Sequence, residues 1–128
     1  MRTAARVTRA QRIQAALAEL RTMIAEKYPE AEFRVRRGVD DPREWWLEAR
    51  VELDDTEEVA DLIIDRLLDF QVEQRLPIYV QALPTERIAA MLWQRTLEEN
   101  YAQGKWVPAD YRRMREATEN GRTGSQSA

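Results

Sequence analysis

The sequence predicts an α+β domain in the order α-β-β-α-β-α, a three-stranded sheet (an antiparallel hairpin plus a third strand) packed with helices. Three observations carry this. Ile13, Leu17, Leu20, Ile24 and Tyr28 recur at spacings of three and four, the stripe of an amphipathic helix. WWLEARVEL (45–53) then sets Trp45, Leu47, Ala49, Val51 and Leu53 against Trp46, Glu48, Arg50 and Glu52, the period of two of a half-buried strand. EEVADLIIDRLLDFQVE (57–73) returns to the helical period, apolar on one side and acidic on the other.

The first helix is expected over about residues 8–28 and stops at Tyr28-Pro29, because the residue before a proline avoids the helical region. Ala10, Ile13, Leu17, Leu20 and Ile24 also keep the a/d rhythm of a coiled coil. Packing on the chain's own sheet is the favoured reading of that stripe, and contact with another protein or a second copy is the alternative. In FRVRR (33–37), Phe33 and Val35 point one way while Arg34 and Arg36 point the other. GVDDPRE joins this strand to the next with turn residues of hairpin length. Arg and Glu can then pair across the polar face.

Asp54-Asp55-Thr56 opens the second helix, with Asp55 and Glu58 in capping-box spacing, and the helix is expected to reach about Gln74. PIYVQAL (77–83) alternates Ile78, Val80 and Ala82 with Tyr79, Gln81 and Leu83 as a third strand. A third helix follows over about 85–101, bearing Ile88, Met91, Leu92, Trp93 and Leu97, until Gly104 breaks it. Residues 1–103 therefore read as one domain, and 104–128 as an extension with a short helix and a disordered Gly/Ser/polar tail. Trp45, Leu47, Val51, Ile63, Leu67, Phe70, Val80 and Leu92 are expected to share one core.

Composition narrows the chemistry. With 44% hydrophobic and 34% charged residues, the chain is neither a disordered tail nor an oil-rich membrane protein. No apolar run is long enough to span a bilayer, and the basic N-terminus has no apolar segment of the secretory type, so a cytoplasmic location is expected. Cysteine and histidine are absent, which removes thiolate chemistry, the usual zinc ligands and a histidine base. A net charge of −3 argues against a dedicated duplex-DNA binder. No cofactor and no metal site is expected.

Three functional readings follow. The first is a protein-interaction module, a subunit or regulator without catalysis, using an acidic ridge on the second helix: Glu58, Asp61, Asp65, Asp69 and Glu73, with Leu62 standing among the acids. The second is a single-stranded nucleic-acid binder, because Arg34, Arg36, Trp46, Arg50 and Tyr79 share the sheet's outer face and aromatics interleaved with arginine can stack bases. The third is a metal-dependent nuclease. Asp41, Glu48 and Arg50, behind a helix bearing Glu19 and Glu26, resemble a degenerate PD-(D/E)xK nuclease layout. Arg50 stands where that layout has a lysine, and an arginine cannot deprotonate to act as a base.

Overall fold

The computed structural model describes residues 6–127, with side chains through residue 121. Its elements are α1 (Arg9–Lys27), β1 (Glu32–Arg37), β2 (Trp45–Val51), α2 (Glu57–Leu68, prolonged as a π-helical turn over Asp69–Glu73), β3 (Ile78–Pro84), α3 (Glu86–Ala102) and α4 (Ala109–Ser127). This is the expected α-β-β-α-β-α order, followed by a further helix. The chain forms two compact units that part between Ile88 and Ala89, inside α3. The expected boundary follows residue 103, where composition changes; local composition does not register where contacts thin out within a continuous helix.

In the first unit the sheet order is β1-β2-β3, with β1 and β2 antiparallel and β2 and β3 parallel. The parallel pair follows from the crossover: α2 carries the chain back along the sheet, so β3 runs in the direction of β2. Gly38 opens the hairpin loop, where a Cβ would lie 2.3 Å from the Asp41 carbonyl, so only glycine fits without displacing the backbone. Asp41 then accepts from the Arg43 backbone and guanidinium, and this partner holds its carboxyl below the usual carboxylate range.

α1 and α2 cover one face of the sheet. Ile13, Leu17, Leu20 and Ile24 are buried against Leu47, Ala49, Val51, Ile63, Leu67 and Ile78 in one core. The α1 stripe is thus mostly buried in the protein's own fold. Each fully buried Leu or Ile contributes roughly 1.5–3 kcal/mol. Val80 and Trp45 pack on this core half-buried, whereas Leu92 takes no part in it. Leu92 lies on α3 past the point where the units part, so its helical period carries no information about this core.

The two helices run antiparallel and are tied along their length. Arg9 and Arg12 donate to the carbonyls of Arg75 and Gln74 at the end of α2's helical run, each at 3.2 Å. Cations there suit the negative end of the helix dipole. Glu19 pairs with Arg66 midway, and the Tyr28 hydroxyl donates to Glu58 at 2.5 Å near the start of α2. Burial first, and then the Glu58 carboxylate, push the Tyr28 phenol up to about 12.

The capping box belongs to α1, where Thr8 and Gln11 bond reciprocally. At α2, Asp55 accepts from the Glu57 amide instead, and Glu58 is drawn away to Tyr28. The π turn closes with the Gln74 amide on the Asp69 carbonyl, and Arg75 turns left-handed at φ 54° to bring Leu76 back into the core.

In the second unit, Leu97, Val107 and Tyr111 are buried together with half-buried Tyr101 beside them. Gly104, at φ 71°, makes the turn between α3 and α4. Tyr101 meets the Tyr111 ring edge-on at 6.2 Å and donates to Glu119, while Trp106 is exposed. α4 is longer than the short helix expected after Pro108, and its backbone stays helical through most of the stretch read as a disordered tail.

Candidate functional site

The acidic ridge forms, but it is less uniform than its spacing implied. Asp61, Asp65 and Glu73 are exposed and have no cation within ion-pair distance among the described residues. Asp69 stands 3.7 Å from Arg66, and Glu58 accepts from Tyr28. Leu62 is half-buried against the core, so it is a packing residue more than an exposed contact.

The exposed apolar surface of α2 lies beside the ridge. Val59, Ile63, Leu67 and Phe70 face inward, whereas Ile64 and Leu68 are 41% and 45% exposed, and Val72 on the π turn is 67% exposed. The apolar residues Val59, Ile63, Ile64, Leu67, Leu68 and Phe70 span about half a turn of the helix, wider than the core covers, and the surplus faces water. Asp61 and Asp65 follow Ile64 and Leu68 around the helix at roughly 60° intervals. The result is an apolar strip with carboxylates along one border.

A groove of about 580 Å³ opens between α1 and the β1–β2 hairpin. α1 packs chiefly on β2 and α2 on β3, so on the core side of β1 Phe33 is half-buried against the core while the Val35 end is less covered. Val35 is accordingly 48% exposed, and with Ile13, Leu17, Trp45 and Leu47 it makes an apolar lining. Among the described residues, Arg9, Arg21 and Arg37 are the only charged ones lining it. Arg37 lies 4.0 Å from the Trp45 ring centroid and Arg21 lies 5.1 Å from that of Phe33. None of the three has a carboxylate within ion-pair distance among the described residues.

On the sheet's outer face the register sets Arg36, Trp46 and Tyr79 in one row, Arg34, Glu48 and Gln81 in the next, and Glu32, Arg50 and Leu83 in the third. All five residues proposed for nucleic acid are thus brought together. Their interaction capacity is largely spent internally. Tyr79 stacks on Trp46 at 4.9 Å from one neighbouring strand, and Arg36 lies over the same ring from the other. Arg36 is further held by Glu48 and Gln81, and Arg50 by the Pro84 carbonyl. Arg34 is the exposed exception.

The nuclease-like set is not assembled. Asp41 binds Arg43 in the hairpin loop, Glu48 and Arg50 lie on the sheet's outer face, and Glu19, on the helix that covers the opposite face, pairs with Arg66. No group of three or more Asp or Glu residues is arranged to hold a metal ion among the described residues. No helix there is long and apolar enough to cross a membrane.

The acids of the ridge and the wide apolar half-turn that holds Ile64 and Leu68 are legible in the sequence, whereas the exposure of those two residues and the arginine-lined groove are not. The groove leaves no signal, because Arg21, Arg37 and Val35 meet only through the packing of α1 on the hairpin. No family model matches this chain, and neither the curated proteins nor the solved structures contain a significant match to it.

Proposed function

We propose that this protein is an interaction module, a subunit or regulator that binds another protein chain through the outward face of α2. The observation that carries the reading is the exposed strip of Ile64, Leu68 and Val72 bordered by Asp61 and Asp65. Scattered surface apolar residues need no explanation, but three successive ones along one helix make a contiguous patch. Carboxylates beside it steer encounter, and the apolar strip supplies contact area that holds the complex. Both features weaken the isolated domain slightly or leave it unimproved, which supports a role outside the fold.

The test is capture from lysate of the source cells, with the wild type compared with an Ile64→Ser, Leu68→Ser, Val72→Ser variant. The variant is expected to fold and to lose specific partners. An unchanged set of captured proteins would remove α2 as the contact surface. Titration with short single-stranded oligonucleotides covers the rival class: micromolar, salt-sensitive binding weakened by Arg34→Ala would favour the sheet face instead.

A further inference from the structure

We infer that the partner of the α2 strip is a second copy of this chain, received in the arginine-lined groove between α1 and β1, so that copies associate head to tail. The inference rests on the interaction-module reading and names its partner. Two surfaces within the first unit complement each other in both polarity and charge. The α2 strip is convex, apolar and flanked by Asp61 and Asp65, which have no cation within ion-pair distance among the described residues. The groove is concave, apolar along Ile13, Leu17, Val35 and Trp45, and lined by Arg9, Arg21 and Arg37 with no carboxylate among the described residues. In a chain of net charge −3, a concavity with three arginines and no acid is a local inversion of the molecule's charge. An amphipathic helix laid in a hydrophobic groove is a recurring mode of recognition.

Placement decides the form of association. Arg66 faces α1, because it binds Glu19 there. At 100° per residue, Ile64 and Leu68 lie about 160° from Arg66 on either side, hence on the flank of α2 away from α1. The same reckoning from Glu19 puts Ala10, Leu17 and Arg21 on the flank of α1 away from α2. Strip and groove therefore occupy opposite borders of the two-helix layer. A twofold axis would have to bring opposite borders together at once. A heterologous contact needs only the strip of one copy in the groove of the next, leaving a groove and a strip free at the ends for ring closure or growth.

The experiment is analytical ultracentrifugation of the full chain across concentration and salt, with two double variants. One carries Asp61→Arg and Asp65→Arg, the other Arg21→Asp and Arg37→Asp. Wild-type association is expected to rise with concentration and fall with added salt. Each variant alone is expected to associate at least about tenfold more weakly, because like charges then meet. An equimolar mixture is expected to recover association, since each reversed surface now finds its complement. That recovery also establishes that both variants fold.

Wild type that stays monomeric up to about 1 mM, the weak limit of specific association, would overturn the inference. So would self-association indifferent to both reversals. If the wild type is monomeric while the strip variant still loses captured proteins, self-docking fails and the interaction-module reading stands. If the monomer's groove instead binds an acidic amphipathic peptide, the groove belongs to a separate partner and self-docking again fails.

Discussion

α1 and α2 lie side by side on the same sheet face, yet they use their apolar residues differently. Every member of the α1 stripe from Ile13 to Ile24 is at most 7% exposed, so that helix carries as much oil as its packing consumes. α2 buries Val59, Ile63, Leu67 and Phe70, then leaves Ile64, Leu68 and Val72 in water. A helix stripe as wide as its seat describes a fold. A stripe wider than its seat describes a fold and something more, and the width of the surplus is readable residue by residue.

The largest test of that contrast sets two adjacent leucines against each other. Leu67→Ala should cost about 2–5 kcal/mol through lost transfer energy and the cavity left behind. Leu68→Ala, one position along and outward, should cost less than about 1 kcal/mol. Urea unfolding midpoints measure both, and equal losses would erase the distinction between seat and surplus.

The next test concerns the tie between the helices. Tyr28 keeps its proton more tightly when folded, with its phenol at about 12 against an ordinary value near 10. The folded state therefore binds the proton that the unfolded chain releases between those values. This stabilisation is complete below about pH 10 and is lost as pH rises toward about 12. Tyr28→Phe should flatten the alkaline fall in stability across that window. An unchanged alkaline profile would show that the hydroxyl does not hold α1 to α2.

The Glu19–Arg66 pair sharpens the same point at smaller scale. Both side chains are more than a third exposed, so a double-mutant cycle should return only a weak coupling, reduced further by salt. A larger coupling would make this ion pair, and not the buried stripe, the main fastening of α2 to α1. The smallest effect is expected on the ridge. Asp65→Asn removes like-charge neighbours at Asp61 and Asp69 and should raise stability by a few tenths of a kcal/mol at low salt. A clear loss would mean that Asp65 has a partner within the fold.

The order of elements was legible because each one states its period locally. Leu47, Ala49 and Val51 alternate cleanly, and Tyr28-Pro29 ends α1 where proline sterics require. The parallel pairing of β2 with β3 was not legible, since alternation fixes which face is buried and not the neighbour or its direction. Nor was the π turn. Residues 69–73 contain no glycine or proline to announce it, and the left-handed Arg75 is a position where sequence leads one to expect glycine or asparagine. At the candidate site, the acids of α2 could be read from spacing. Their distinction from Leu62 could not, because that depends on how far the helix is sunk into the core. The groove depends on three segments meeting and leaves no trace in any one of them.

The parallel pair also has a consequence for how the chain is made. β1 and β2 can close through a loop of a few residues, whereas β3 reaches β2 only after residues 52–77 have come between them. Local pairings form first because closing the longer crossover costs more chain entropy before any contact rewards it. During that interval one edge of the strand that will become central stands open, its backbone N–H and C=O groups unpaired beside the uncovered face of Trp45, Leu47, Ala49 and Val51. An open edge beside an apolar face is a template for other chains. Recovery on refolding should therefore fall with protein concentration unless α2 and β3 are already in place, and a chain truncated before residue 78 should aggregate more readily than the full one.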